Sequence, residues 1–215
     1  IDHFLGSTTT LETFAQSQYP ELGNFVQASY EVQQAAYDPD KKRTRVVLRR
    51  DGLIMHNATE HPVRLTKCFD MDHRDMRMDV SYTLHNMSTQ VLDLWLGVEL
   101  NLTLLAGDDR LRYYRFPGFP DHELLMNSRA AFGNIEAFSM VDEWSGMELC
   151  LDTKPSAGVW LLPLETVARS ENGFECSYQH STLLLHRKLY LKPHEHLTQS
   201  FKLSVVLSDG KKETV

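Results

Sequence analysis

The chain has 215 residues, 42 % hydrophobic and 24 % charged, enough to bury one substantial core and typical of a water-compatible globular protein. A net charge of −7, with one basic cluster at Lys41 to Arg45 beside a turn, argues against a nucleic-acid partner. No apolar run approaches the roughly 20 residues of a membrane helix, so no membrane partner is expected.

Residues 7–20 carry the only hint of helix, and Pro20 closes it. Val26, Ala28, Tyr30 and Val32 then alternate as a first strand. Residues 46–50 and 53–55 flank Asp51 and Gly52, whose tolerance of positive φ predicts a hairpin there. Val63, Leu65 and Phe69 alternate with Arg64, Thr66 and Asp70. Met76, Met78, Val80, Tyr82 and Leu84 follow in the same way.

Residues 92–105 are the clearest segment. Leu92, Leu94, Leu96, Val98, Leu100, Leu102 and Leu104 occupy every even position. A helix would scatter them round its cylinder, whereas a strand gathers them on one face. The opposite face carries Asp93, Trp95, Glu99, Asn101 and Thr103. Such a row suits a sugar, which stacks on aromatic rings and hydrogen-bonds to carboxylates and amides; an ordinary second face under a loop or sheet reads the same way.

Strand-like runs continue at 111–116, 147–151, 159–162, 174–178, 183–191 and 197–207. Turn signals separate the runs at Asp38-Pro39, Gly107 to Asp109, Pro117-Gly118, Glu171 to Gly173 and Lys192-Pro193. Around a dozen strands with almost no helix predict an all-β fold, a large antiparallel β-sandwich, too big for an immunoglobulin-like domain of about 100 residues. No Pro-, Gly- or Ser-rich linker divides it, so residues 1–215 are expected to form a single domain. The weakest seam is the irregular stretch 116–133.

Chemistry-bearing motifs are sparse. Asp70, Asp72, His73 and Asp75 crowd one loop, but the Gly and bidentate Glu of a calcium loop are missing. His194 and His196 share one side of an extended segment without a third zinc ligand. Cys68, Cys150 and Cys176 are odd in number, without metal spacing, and read as buried thiols in a reducing compartment. There is no Gly-x-Ser-x-Gly elbow, P-loop or dinucleotide turn, so neither a metal nor a cofactor is expected. Asp93, Glu99 and Glu148 lie on strands, but sequence does not show that any two converge as a glycosidase pair.

Ile1-Asp-His-Phe-Leu5, the run from Leu96 through Glu99, Asn101 and Ala106-Gly107 to Asp108, and Arg112-Tyr-Tyr114 together resemble a known domain. It is the C-terminal β-domain of the 4-α-glucanotransferases and α-amylases of glycoside hydrolase family 57, and the likeness covers the whole chain. The resemblance implies a galactose-mutarotase-like supersandwich. It also implies that catalysis belongs to an N-terminal barrel, of which this sequence has no βαβ trace, so no catalytic residue can be carried over.

The chain begins with Ile1 and shows no signal peptide, which fits a C-terminal piece of a cytoplasmic enzyme. The expected partners are the catalytic barrel of the same parent chain and an α-glucan or oligosaccharide. If sugar is held, Trp95 is the candidate stacking platform, with Glu99 and Asn101 as hydrogen-bonding partners; Trp144 and Trp160 are alternatives, Trp160 reading more as core. The competing expectation is a stand-alone mutarotase-like aldose epimerase, whose acid and base would be His85 and Glu99 on neighbouring strands.

Overall fold

The computed structural model describes residues 1–170 and 173–208. Its elements are β1 (Asp2–Leu5), α1 (Leu11–Ala15), β2 (Glu31–Asp38), β3 (Arg43–His56), β4 (Thr59–Asp72), β5 (Arg77–Asn86), β6 (Leu92–Leu102), β7 (Arg112–Arg115), β8 (Leu124–Leu125), β9 (Ala130–Asp142), β10 (Met147–Ser170), β11 (Gly173–Leu191) and β12 (His196–Leu207). The strands hydrogen-bond in the order β1-β6-β11-β10-β12-β5-β4-β3-β2, and β9 joins β7 to β10. All pairings are antiparallel. The fold is a large antiparallel β-sandwich.

Strand β10 ties the two layers together. Its first half, Met147 to Lys154, pairs with β12, and its second half, from Gly158 onward, pairs with β11. A register shift against β9 between Asp152 and Ala157, which spans the cis Lys154–Pro155 bond, marks the change. The main core lies between the layers and takes Leu65, Leu84, Leu94, Val98, Val159, Leu183 and Phe201 from both.

The alternation in β6 is borne out: Leu92, Leu94, Leu96 and Val98 are buried, and Leu100 and Leu102 are partly buried against the same core. On its opposite face β6 is covered at the middle, around Trp95 and Gly97, while Asp93 and Asn101 at either end are exposed. Leu11 and Phe14 of α1 join Leu5, Trp160, Leu162 and Leu184 in a second, smaller core that Trp95 and Tyr19 border. Thr10 caps this short helix, its Oγ1 accepting from the Thr13 backbone N–H at 3.3 Å.

Several local expectations are corrected. The strand expected over 26–32 runs over 31–38. No hairpin forms at Asp51-Gly52: β3 continues through it and turns at Asn57 and Ala58, with φ of 49° and 57°. Gly52 serves close approach, because a Cβ there would meet the Phe25 ring at 2.5 Å, and Asp51 is held in the ladder by Arg64 at 2.6 and 2.7 Å. The runs at 147–151 and 159–162 are parts of one continuous strand, β10, and those at 174–178 and 183–191 are parts of another, β11. Strand β9 occupies residues 130–142, where the sequence pattern predicts no strand. Cys176 is exposed, and Cys68 and Cys150 are half-buried. Of the turn at Glu171 to Gly173, the first two residues lie outside the described ones.

Candidate functional site

His3 sits at the edge of the sheet, opposite Gly97 of β6 in the register. Gly97 leaves its own face of the strand empty, and a Cβ there would come within 3.3 Å of the His3 Cβ. The imidazole is buried and bridges two carboxylates, with Nδ1 3.0 Å from Glu21 Oε2 and Nε2 2.9 Å from Glu99 Oε2. Glu21 Oε1 accepts from the backbone N–H groups of Phe4 (2.8 Å) and Gly23 (3.1 Å). Glu99 Oε1 accepts from Asn101 Nδ2 at 2.8 Å, and Thr182 donates to Asn101 Oδ1 at 2.8 Å.

Burial works against a charge on His3, but the hydrogen bonds and charges of Glu21 and Glu99 outweigh it and raise its pKa above the ordinary value. For Glu99 burial likewise favours the neutral acid, and the bonds from His3 and Asn101 overcome it, holding the carboxyl below the usual range. The Tyr19 hydroxyl, 3.3 Å from His3 Nδ1, is pushed up to about 12, first by burial and then by the two carboxylates. The arrangement is an ionic latch from β1 and the segment after α1 onto β6. Both Glu99 oxygens are engaged, so its first service is structural.

Trp95 lies two residues before Gly97 on the same face. It stacks on His186 with ring centroids 5.1 Å apart and planes within 4°, and Trp160 lies beside both. The His186 ring packs over Gly158, where a Cβ would meet it at 2.3 Å, a contact only glycine permits. Its Nε2 is buried and has no hydrogen-bond partner among the described residues. Desolvation pushes the imidazole pKa down to about 4, so it is neutral at pH 7.

Of the expected trio, Glu99 and Asn101 are joined by the 2.8 Å bond, while Trp95 belongs to the aromatic cluster. Trp95 is half-buried in the aromatic cluster, Glu99 is in the latch, and Asn101 is exposed. Glu99 borders a pocket of about 190 Å³ with Tyr19, Arg129, Leu162 and Thr182, which neither Trp95 nor Asn101 lines. Ordinary ligand pockets run from roughly 300 to 1,000 Å³. Trp160 is buried as read, whereas Trp144 is 77 % exposed on the β9–β10 turn. Sequence reasoning missed His3 and Glu21 as polar residues of this region; the Gly97 gap in the outward row was the available signal.

The expectation that His85 and Glu99 lie on neighbouring strands is corrected. Only residues 87–91 join β5 to β6, but the chain crosses there from one layer to the other, leaving three strands between them in the sheet order. His85 instead stacks on His196 at 3.9 Å. Among the described residues no three His, Cys, Asp or Glu side chains converge as a metal site. Asp72 of the acidic loop is engaged by Arg43 and Arg74, and Asp70 by Arg45. No helix among the described residues is long and apolar enough to cross a membrane.

The sequence profile of the family described as α-amylase/4-α-glucanotransferase, C-terminal, matches residues 1–201. This chain belongs to that family. The 4-α-glucanotransferase of Thermococcus kodakarensis is 26 % identical over 174 residues, covering 81 % of this chain and 21 % of that protein. The crystal structure of the Thermococcus litoralis 4-α-glucanotransferase superposes with a TM-score of 0.70 at 20 % identity, over 94 % of this chain and 26 % of that one. A galactose mutarotase-like protein from Clostridium acetobutylicum shares the fold with a TM-score of 0.59 at 9 % identity, over 90 % of this chain and 71 % of that one. Members of this family thus include much longer proteins: the chain spans about a fifth to a quarter of the two glucanotransferases it matches.

Proposed function

We propose that this sandwich is the non-catalytic C-terminal domain, spanning residues 1–215, of an α-glucan-processing enzyme of the α-amylase/4-α-glucanotransferase type, working in the cytoplasm. It supports the enzyme's catalytic barrel and contacts carbohydrate. The family match over residues 1–201 carries this reading. The latch supports the non-catalytic part, since the contact of buried His3 with Glu99 of β6 is spent on holding β1 and the segment after α1 in place.

On the β6 face the carbohydrate contact is assigned to Trp95, Glu99 and Asn101, with exposed Asn101 as its accessible polar group. Titration of the chain with maltoheptaose, followed by Trp fluorescence and amide shifts, tests this. Trp95→Ala and Asn101→Ala should each weaken saturable binding and erase shifts on β6. Millimolar sugar without effect on β6 amides would retire these three residues as a contact and leave the domain a structural partner of the barrel.

A further inference from the structure

On the other layer, the side facing away from the core carries cross-strand rows set by the register of β3, β4, β5, β12 and β10. One row runs Arg45, Asp70, Asp79, Lys202, Asp152; the next runs Val47, Cys68, Ser81, Ser200, Lys154. A cleft of about 970 Å³ opens over these rows, and Glu136 and Ala137 of β9 wall it. Most of its charges are consumed internally: Arg45 pairs with Asp70, Arg77 with Asp79, and Lys202 with Asp152. The hydroxyls of Ser81, Ser156 and Ser200, the Lys154 ammonium and the Glu136 carboxylate line the cleft without a side-chain hydrogen bond or ion pair among the described residues.

The cleft does not end there. Ala137 and Asp152 also line a depression of about 560 Å³ containing Arg115 and Phe119. Arg115 in turn borders one of about 590 Å³ under Trp144. The guanidinium is already oriented, with Asp121 at 3.0 Å and Glu148 at 2.6 Å, and Ser139 donates to the same Glu148 oxygen at 2.5 Å. Phe119 is 43 % exposed and Trp144 77 % exposed. A trough thus runs from free hydroxyls, through a pre-set guanidinium, to two exposed aromatic side chains, Phe119, which packs at right angles to Phe132, and Trp144.

We propose that this trough is a binding site for a neutral oligosaccharide chain. Each element matches one property of such a ligand: aromatic faces for the C–H sides of sugar rings, and unpaired hydroxyl, ammonium and carboxylate groups for its hydroxyls. Polyanionic glycans are disfavoured, since with Asp70, Asp79 and Asp152 paired to Arg45, Arg77 and Lys202 the lining is left with Lys154 against Glu136 and so with no net positive field. Taken with the reading above, on which the identity of the sugar rests, the ligand is an α-linked glucan.

The experiment is an amide-shift and calorimetric titration of the full chain in the Trp95→Ala background, which silences the β6 face. The probes are maltoheptaose, cellohexaose and a galacturonan oligomer. Maltoheptaose should still shift amides on β9, β10 and β12. Adding Trp144→Ala should weaken that binding at least tenfold, and adding Glu136→Gln with Lys154→Ala severalfold, without moving the thermal midpoint. If Trp95→Ala alone abolishes every shift, the trough is overturned and the α-glucan reading stands. Equal affinity with and without Trp144→Ala also overturns the trough. Preference for cellohexaose upholds a neutral-chain trough and removes the α-glucan assignment, whereas preference for galacturonan overturns the proposal itself.

Discussion

Replacing His186 with Phe should flatten the acid side of the stability profile. In the unfolded chain this imidazole takes its proton near pH 6.5, whereas in the folded chain burial delays it to about 4. Between those values the unfolded state binds more protons, so stability falls as pH falls. At about 1.4 kcal/mol per pH unit, the whole window is worth roughly 3 kcal/mol, and the fall from pH 7 to pH 5 roughly 2 kcal/mol. With a urea slope of about 2 kcal/mol/M, that fall lowers the unfolding midpoint by about 1 M. Phe keeps a flat ring over Gly158 and against Trp95 and cannot be protonated. Urea unfolding of both proteins at pH 7 and pH 5 isolates the term, because the other titrating groups are common to both. Parallel losses in wild type and variant would refute the claim that burial of His186 governs this limb.

The opposite limb belongs to His3, whose folded pKa is raised, so its contribution is complete below pH 6.5 and is lost as pH rises through the folded value. Glu99→Gln should lower the imidazole pKa of His3 in a proton NMR titration, and an unchanged value would remove Glu99 from the latch. Gly52→Ala should cost about 1–3 kcal/mol by forcing a methyl into the Phe25 ring; a neutral result in urea unfolding would show that β3 yields there. Lys67 lies 2.7 Å from buried Asp2, and its ammonium 3.7 Å from the Tyr30 ring centroid. Lys67→Met should therefore cost about 3–5 kcal/mol by stranding the carboxylate. Asp2→Asn added to it should recover most of that, and thermal midpoints of equal loss would deny the pairing.

Much of the fold was legible from periodicity. The even-numbered run of β6 went to the core as read, and so did Val80, Tyr82 and Leu84 of β5 and Phe201 of β12, because a strand's two faces are set by parity. Met76 and Leu207, at the ends of those runs, are exposed. Where the reading failed, a local signal had two physical causes. Asp51-Gly52 has turn chemistry, yet Gly52 is there to admit Phe25, a residue 27 positions earlier that no hairpin rule considers. Strand β9 was overlooked because Ala130, Ala131, Gly133 and Asn134 have little strand propensity; pairing with β10 on one side and β7 on the other supplies what propensity lacks.

The candidate site divides in the same way. Sequence sufficed to put Trp95, Glu99 and Asn101 on one face of one strand. It also placed the chain, by resemblance, among the β-domains of glucan enzymes. Only the tertiary structure decided what that face meets. The register sets His3 opposite Gly97, 94 positions away in the chain, and so commits Glu99 to an ion pair. The pairing of β11 with β10 and β6 lays His186 over Gly158 and against Trp95. The layer crossing after β5 carries His85 out of Glu99's reach, and the far layer gathers Ser81, Lys154 and Ser200 under one cleft. Periodicity is a property of neighbours along the chain, whereas the chemistry of a face depends on which distant strand lies across it.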